Sequence, residues 1–270
     1  MIRRAVLLAT AVIGLVACME PPELRPRAPT PGQPHIRVTT YNVNLALAED
    51  PDTVAAVGGT DSDILCLQEV NSVWATILQA TYAGRYPFMA FHGEHTGGLA
   101  VLSRWPFQDL GVAPGFDGWH PAWHVLVETP IGPIQVLLVH LRPPVSRRGG
   151  LSSYFGIDEI HAAELAGFEA KCDADVATMV VGDFNEGDEG GAISWLRERG
   201  YRSVLPQFRP GQETWRYESS MYGQTIDTLD HIVYDTARFR PLNATVSYLG
   251  NSDHLPVTAI FEALPRPGVP

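Results

Sequence analysis

The segment GNSDHLPV (residues 250–257) sets an acid beside a histidine, Asp253 and His254, in a turn that Pro256 closes. The last apolar run of the chain, PVTAIFE (256–262), begins directly after this pair. An acid that precedes a strand is commonly a turn former, because its side chain bonds the local backbone. Whether the pair has a chemical role therefore depends on which polar residues stand at the ends of the other strands.

Short apolar runs recur from His35 onward and are separated by turn residues. Two of them, IQVLLVH (134–140) and TMVVG (178–182), are mostly apolar, which is typical of strands covered on both faces. Apolar residues at helical spacing predict helices over 49–58, 72–80, 158–171 and 189–199. No repeat, membrane-spanning segment or change of composition follows residue 35. The sequence therefore predicts one layered α/β domain over 36–263, with a tail over 264–270.

The first 35 residues have a different character. MIRRAVLLATAVIGLVAC (1–18) combines a basic start with an apolar run too short to span a bilayer comfortably, which is typical of a signal peptide. Small residues before Cys18 resemble a bacterial lipobox, so a signal peptide over 1–17 and lipidation of Cys18 are predicted, with ordinary secretory cleavage as the alternative. Residues 18–35 are proline-rich and predict an extended spacer. The protein is then exported and lipid-anchored in the cell envelope, and Met19 favours the outer membrane.

The chain is acidic, with a formal net charge of −11. Such a charge argues against nonspecific adhesion to nucleic acid or anionic lipid, so an anionic substrate needs a local positive group or a metal. The segment LRPPVSRRGG (141–150) concentrates Arg142, Arg147 and Arg148. Arg142 is closest to the end of a predicted strand and is therefore predicted to bind substrate. A solvated surface loop explains the other two equally well.

Histidines and cysteines give weaker indications. The pairs His92/His95 and His120/His124 lack cysteine partners or an HExxH pattern, so no zinc site is predicted. The segment GFDGWHPAWH (115–124) predicts an aromatic loop before a strand. Cys66 lies in an apolar run and is predicted to be a buried hydrophobic residue.

Polar side chains stand at or beside the ends of the predicted strands. They are Asn42 (with Asn44 nearby), Glu69, His140, Asp183, Asn185, Asp230, Asp253 and His254. Any one of them has a simple explanation as a cap or turn residue. Strand ends are rigid, however, and can direct several side chains into one crevice. Together the set contains the groups that metal-assisted phosphoester hydrolysis requires.

A hard cation is the first of these requirements. Mg²⁺, or Mn²⁺ in its place, prefers oxygen ligands, which Glu69, Asp253 and the amide oxygen of Asn42 can supply. Such an ion neutralises phosphate charge in the transition state. The sequence therefore predicts a Mg²⁺ site built on these three residues.

Donors and a base are the other requirements. Asn185 and a protonated His140 can donate hydrogen bonds to phosphoryl oxygens. His254 can activate a water when a carboxylate holds its other ring nitrogen, and Asp230 is the candidate for that carboxylate.

In this order, six segments resemble the endonuclease/exonuclease/phosphatase superfamily: TYNVN (40–44), LQEV (67–70), LLVHL (137–141), VVGDFN (180–185), TLDHIVY (228–234) and SDHLPV (252–257). LSRWP (102–106) and ETWRY (213–217) also resemble structural segments of that family. The resemblance covers essentially the whole domain. It implies a four-layer α/β/β/α sandwich with two central, mostly antiparallel sheets and a site at one rim.

The resemblance also implies roles for the residues. Glu69 is the main Mg²⁺ ligand, supported by Asn42 and Asp253. Asp183 and Asn185 handle the attacking water and the phosphate, and Asp230 pairs with His254. The base stays open between Asp183 and His254. His140 is similar to the residue of the nuclease and sphingomyelinase branches, whereas abasic-site enzymes have Tyr at that place.

We therefore expect a monomeric, Mg²⁺-dependent phosphodiesterase of nuclease type. The alternatives are a phospholipid or inositol-phosphate phosphoesterase of the same fold and a non-catalytic envelope binding lipoprotein. The sequence shows no long basic arm for DNA and no evident exposed apolar hairpin for membrane entry.

Overall fold

The computed structural model describes residues 22–116, 119–144, 156–219 and 223–265. The predicted signal peptide, Cys18, Arg147, Arg148 and the end of the tail lie outside these residues. Within the described ranges, none of the helices is both long and apolar enough to cross a membrane.

Two six-stranded mixed sheets form the centre of the domain. The strands of the first are β1 (Ile36–Asn42), β2 (Ile64–Gln68), β3 (Phe88–His92), β4 (Leu99–Ser103), β13 (Phe239–Val246) and β14 (Val257–Ala263). They lie in the order β13-β14-β1-β2-β4-β3, and only β1 and β2 are parallel neighbours.

The second sheet repeats this plan. Its strands are β5 (Phe107–Ala113), β6 (Ala122–Thr129), β7 (Gly132–His140), β8 (Ala177–Asp183), β9 (Tyr201–Ser203) and β12 (Asp230–Asp235). They lie in the order β5-β6-β7-β8-β12-β9, with β7 and β8 as the parallel pair. A separate hairpin joins β10 (Trp215–Ser219) to β11 (Gly223–Asp227).

Helices cover the outer faces of both sheets. They are α1 (Pro51–Gly59), α2 (Ser72–Tyr82), α3 (Ile157–Glu169) and α4 (Gly191–Arg197). The short α5 (Val204–Phe208) instead packs into the core between the sheets. Alternation along the strands separates the apolar side chains: Ile64 and Cys66 of β2 face the other sheet, whereas Leu65 and Leu67 face α1 and α2. A third apolar layer packs β7 and β8 against α3 and α4. These three cores confirm the predicted four-layer sandwich.

The proline-rich segment differs in part from the predicted spacer. The backbone N–H of Leu24 donates to Gln207 O (2.9 Å), and that of Arg27 donates to Leu242 O (2.8 Å). The Leu24 side chain packs against the core between the sheets. Prolines keep this segment extended, and the backbone N–H of Thr30 also donates to the Glu262 carboxylate. This part of the segment is therefore packed on the domain rather than free.

The four predicted helices are present, with ends within about three residues of the expected ones. Cys66 is buried as predicted, and burial raises the pKa of its thiol to about 12. The sequence did not predict β3, β5, β9, α5 or the exposed hairpin, which has Tyr217 and Ile226 more than half exposed.

Candidate active site

The predicted polar residues meet at one rim because both parallel strand pairs end there. In the second sheet, β7 and β8 run in register with His140 opposite Asp183. Antiparallel β12 begins with Asp230 opposite Asp183 on its other side. Three neighbouring strands therefore present His140, Asp183 and Asp230 in one row.

Asn42 joins this row to the first sheet. It ends β1, and its Nδ2 donates to Glu69 Oε1 and to Asp183 Oδ2, both at 3.1 Å. Its Oδ1 accepts the backbone N–H of Asn44 (3.1 Å), which turns the amide nitrogen, not the oxygen, toward the carboxylates. Asn42 is thus a bridge between the sheets in this structure, and ligation of a metal by its oxygen stays a prediction.

Three residues at the rim have left-handed backbone conformations. Their φ values are +57° for Asn44, +61° for Glu69 and +52° for Asn185. Such a conformation costs about 1 kcal/mol or more for a residue other than glycine. At Glu69 it directly follows the end of β2 and leaves the side chain half-buried at the rim, where Leu45 N–H also donates to Oε2 (3.3 Å).

His254 lies between two buried carboxylates. Its Nδ1 is 2.9 Å from Asp230 Oδ2, and its Nε2 is 3.6 Å from Asp183 Oδ2. Burial alone would lower the pKa of His254, but Asp230 and Asp183 overcome it and raise that pKa to about 10. Burial raises the pKa of Asp230, whereas at Asp183 the nearby imidazoles outweigh burial and lower it. The ring is therefore a buried imidazolium held from both sides.

His140 differs from His254 in charge. Its Nδ1–H donates to Thr96 O (2.9 Å), in a 3₁₀ turn between β3 and β4, and its Nε2 lies 3.5 Å from Asp183 Oδ2. Burial lowers the pKa of His140, and Asp183 only partly opposes this. The neutral ring is favoured here, whereas the sequence predicted a protonated donor, because no sequence pattern reveals how completely the ring is buried.

The turn after β8 holds Asp183 and Asn185 together. The backbone N–H of Asn185 donates to Asp183 Oδ1 (2.9 Å), and Asn185 Nδ2 donates to Leu141 O (2.9 Å). Gly182, which precedes Asp183 in β8, lets β7 approach closely, because a Cβ there would lie 1.9 Å from Val139 O of the paired strand. One N–H of the Asn185 amide is thereby used, and the second has no acceptor among the residues that the structure describes.

Asp253 connects the site to the exposed hairpin. Its Oδ1 accepts from Asn44 Nδ2 and its Oδ2 from Trp215 Nε1, both at 3.2 Å. Trp215 also forms an isolated antiparallel bridge with His254. The hairpin therefore begins at the site, although the sequence indicated only a structural role for ETWRY.

Arg142 lies two residues beyond His140 and is half-buried. Its guanidinium carbon is 5.2 Å from the ring centre of Trp119, a cation–π distance. Its Nε is buried with no hydrogen-bond partner among the described residues. This uncommitted donor agrees with the predicted role in substrate binding, which stays a prediction.

His120 is the site residue that sequence analysis missed. Its ring lies 4.0 Å from that of His140, centre to centre, and its Nε2 is 3.1 Å from Thr96 Oγ1. Burial and the neighbouring His140 lower the pKa of His120 to about 4. The aromatic loop was predicted, but the sequence carries no signal that this loop covers His140.

Among the described residues, one cluster of three or more metal-binding side chains occurs: Asp183, Asp230 and His254, with ligand atoms within 4.8 Å of one another. No zinc cluster forms around the other histidines in those ranges. Because the His254 ring lies between the two carboxylates and is bonded to Asp230, this cluster is better suited to proton transfer than to holding a cation.

The charge balance of the rim nevertheless fits a divalent cation. Carboxylates of Glu69, Asp183, Asp230 and Asp253 gather there, and His254 is the one imidazolium among them. An anionic phosphoester would be repelled unless a cation offset this excess. The half-buried Glu69 offers hard oxygen atoms with free lone pairs, which suit Mg²⁺.

Comparisons with known proteins agree with this geometry. The profile of the Endonuclease/Exonuclease/phosphatase family matches residues 39–254. No curated protein matches the chain in sequence. Three similar solved structures are an endonuclease/exonuclease/phosphatase from Beutenbergia cavernae DSM 12333, the human Nocturnin catalytic domain with bound sulfate and an AP endonuclease from Archaeoglobus fulgidus.

These structures share the fold at low sequence identity. The Beutenbergia protein is 22% identical over 85% of this chain and 72% of that chain, with a TM-score of 0.67. Nocturnin is 20% identical over 86% and 96%, with a TM-score of 0.58. The AP endonuclease is 16% identical over 84% and 99%, with a TM-score of 0.60. With the family profile spanning both sheets and every strand-end residue of the rim, the chain belongs to the endonuclease/exonuclease/phosphatase family, whose members hydrolyse phosphoester bonds.

Proposed function

We propose that this protein is a Mg²⁺-dependent phosphodiesterase of nuclease type. The observation that carries the proposal is the position of Asp183 Oδ2, which lies within 3.6 Å of both His140 and His254 and accepts a hydrogen bond from Asn42. One buried carboxylate oxygen thus faces two imidazoles and, through Asn42, the carboxylate of Glu69.

The protonation states support a division of roles. Asp183 is ionised and has an oxygen that can orient a water and accept its proton. His254 has a proton on Nε2 to donate to a phosphoryl or leaving oxygen, while Asp230 holds its Nδ1. This arrangement favours Asp183 as the base between the two candidates.

The remaining rim residues would bind the phosphoester. Glu69 and Asp253, with Asn42 beside them, would hold Mg²⁺, which when bound neutralises phosphoryl charge. Asn185 has a second N–H to donate to a phosphoryl oxygen, and Arg142 has an uncommitted donor for another.

The direct test is hydrolysis of bis-p-nitrophenyl phosphate by residues 22–270, with Mg²⁺ and with EDTA. We expect release that EDTA abolishes and that His254→Ala lowers about 10²-fold, the lower range for loss of one proton-transfer group. A folded protein with no metal-dependent release would contradict the proposal and would favour phosphomonoesters or the non-catalytic alternative.

The hairpin supports a substrate with a flat aromatic group. The rings of Trp215 and Tyr217 are parallel within 3°, with centres 5.9 Å apart, and Tyr217 is 52% exposed. Trp215 bonds Asp253 at the site, so Tyr217, two residues further on, lies about 7 Å outward along the strand. An exposed ring at this place can stack with a nucleobase next to the scissile phosphate.

Tyr217→Ala should raise KM for a dinucleotide about tenfold, because stacking of a base on an aromatic ring contributes about 1–3 kcal/mol. Glycerophosphocholine, which has no aromatic group, should keep its KM, and Tyr217→Phe should retain dinucleotide binding. Steady-state kinetics of both substrates would check this. An equal rise for both substrates would contradict a stacking role.

A phospholipid substrate is the second candidate. On the other face of the hairpin, the Arg216 guanidinium lies over the ring of Tyr248, and Arg216 pairs with Ile226 of the neighbouring strand. The side chains of Tyr248 and Ile226 are both more than half exposed. Exposed apolar groups beside a site can contact lipid. Faster cleavage of phosphatidylcholine vesicles than of dinucleotides would favour this function.

Export as a lipoprotein anchored at Cys18 is part of the proposal. It is supported by the basic start, short apolar run and lipobox-like residues of the sequence. Mass spectrometry of the mature N-terminus would test it, and an unmodified Met1 would contradict it.

A further inference from the structure

His161 of α3 is a buried imidazole that joins the two loops following β7 and β8. It has no exposed surface. Its Nε2–H donates to Arg142 O (2.7 Å), and its Nδ1–H donates to Glu186 Oε2 (2.7 Å). The first of these loops carries Arg142, and the second follows Asp183.

Both partners of His161 are acceptors, so both ring nitrogens must carry protons. Neutral imidazole has one N–H, and only the imidazolium can donate to a carbonyl and a carboxylate at once. Burial opposes this charge, but the bond to Glu186 prevails, and the pKa of His161 is raised. A buried ion pair of this kind is weak evidence for stability, because desolvation offsets much of its attraction. A role in holding geometry explains it better.

Glu186 is itself fixed by other elements. Its Oε1 accepts the backbone N–H of Ile193 in α4 (2.8 Å), and its carbonyl accepts from His231 Nε2 (3.0 Å) on β12. The Glu186 carboxylate is therefore tied to α4 of the outer layer, and the Glu186 backbone is tied to β12 of the second sheet. Because His161 bonds both Glu186 and the carbonyl of Arg142, it holds the Arg142 backbone at a fixed distance from Glu186.

The two loops are also bonded to each other directly beside this contact. Asn185 Nδ2 donates to Leu141 O. Leu141 directly precedes Arg142 in the chain, and Asn185 directly precedes Glu186. Glu164 lies one turn further along α3. Its Oε2 is 3.5 Å from the backbone nitrogen of Arg142, which is long for a hydrogen bond. The hydrogen bond from His161 Nε2 to Arg142 O is therefore shorter than the bond from Arg142 N–H to Glu164. It fixes the backbone of the residue whose side chain is predicted to bind substrate.

We infer that His161, held by Glu186, is a positioning residue that sets the Arg142 side chain for an anionic substrate. The inference rests on the proposed function, in which Arg142 binds the phosphoester. It assigns no contact between His161 and substrate, so its effect must pass through Arg142.

A double-mutant cycle tests this dependence. His161→Asn should raise KM for bis-p-nitrophenyl phosphate about tenfold with kcat changed less than about threefold, an ordinary coupling for neighbours in one network. In the Arg142→Ala background, the same substitution should change KM less than about twofold. An equal rise in both backgrounds, or a fall in kcat alone, would overturn the inference.

Two further variants guard against a loss of folding. His124→Asn removes another buried imidazole, on β6, that bonds neither Arg142 nor Glu186, and it should leave KM unchanged. Glu186→Gln retains the shape of Glu186 but removes its charge. Three groups bear on the His161 ring: Glu186, Arg142 and Glu164. Without Glu186 its pKa falls, so the rise in KM as the His161 proton is lost should occur at lower pH than in wild type. An unshifted KM–pH profile would overturn the inference even if His161→Asn does not fold.

Binding of inorganic phosphate in the presence of Mg²⁺, measured by calorimetry, separates this inference from the proposed function. Wild type that binds phosphate but hydrolyses nothing would contradict the proposed activity alone. The double-mutant cycle of His161→Asn and Arg142→Ala would then be measured with the Kd of phosphate in place of KM. Wild type that hydrolyses substrate but shows additive effects in the cycle would contradict the inference alone. Absence of both binding and hydrolysis would overturn both.

Discussion

Asp183→Asn should lower kcat for a phosphodiester about 10⁴-fold, the upper range for removal of a group that directs proton transfer. Asn185 N–H donates to Oδ1 of Asp183, which keeps an oxygen at that place in the variant. The new NH₂ group then occupies the place of Oδ2. It faces the Nδ2 of Asn42 and the rings of His140 and His254, where an acceptor stood before.

The fold should tolerate this change much better than the activity does. The neutral replacement avoids the desolvation cost of a buried carboxylate, and the His254 imidazolium keeps its bond to Asp230. We expect a thermal midpoint within a few degrees of wild type, with the loss confined to kcat. Asp188→Asn, in the same segment and paired with Arg197, is the matched control. A variant that retains more than about a tenth of wild-type kcat would exclude Asp183 as the base.

The strand-end residues could be predicted from sequence because strand geometry alone brings them together. His140 and Asp183 each end an apolar run, and carboxyl ends of parallel strands lie at the same edge of a sheet. Asn42 and Glu69 follow the same logic in the other sheet. The apolar pattern of the strands was therefore enough to predict which residues lie together at the rim, without any knowledge of their hydrogen bonds.

The chemistry of individual side chains could not be predicted in the same way. The direction of the Asn42 amide depends on the backbone N–H of Asn44, which donates to Asn42 Oδ1. Asn44 itself has a positive φ. The neutral charge of His140 depends on its burial, and its tautomer depends on the carbonyl of Thr96, which comes from a turn of the opposite sheet. The Asn42–Asn44 bond is local, but its consequence depends on the carboxylates of Glu69 and Asp183 that accept from the other end of the amide. The burial and the Thr96 contact of His140 are tertiary effects, which local sequence preference does not encode.

The hairpin and the N-terminal segment escaped prediction for a related reason. WRYES (215–219) alternates Trp215 and Tyr217 with charged residues but is only five residues long, and Ile226 is the one apolar residue of GQTID (223–227), so neither run has the sustained apolar pattern by which strands are recognised. The contacts of Leu24 and Arg27 use backbone N–H groups, which every non-proline residue has. Such bonds leave no trace in composition, and proline content alone indicated a spacer.

Glu69→Gln should lower activity at fixed Mg²⁺ about 10³-fold, since a metal contributes several kcal/mol of charge stabilisation and each 1.4 kcal/mol is a factor of ten. Gln can adopt the same left-handed backbone and still accept from Asn42 or from Leu45 N–H. The substitution thus removes one anionic ligand with little change of shape. Glu128→Gln, an exposed carboxylate on β6, is the matched control.

The thermal midpoint gives a readout of Glu69 that does not depend on turnover. A cation that binds the folded chain raises this midpoint, and the rise grows with the logarithm of its concentration above Kd, so Mg²⁺ or Mn²⁺ should stabilise wild type and Glu128→Gln but not Glu69→Gln. If Glu69→Gln keeps both the metal-dependent midpoint and the activity, the cation must bind elsewhere, and the cluster of Asp183, Asp230 and His254 becomes its place. Asp183→Asn would then abolish the metal-dependent shift. If Glu69→Gln alone abolishes it, the two carboxylates have separate tasks, with Glu69 holding the cation and Asp183 directing the proton.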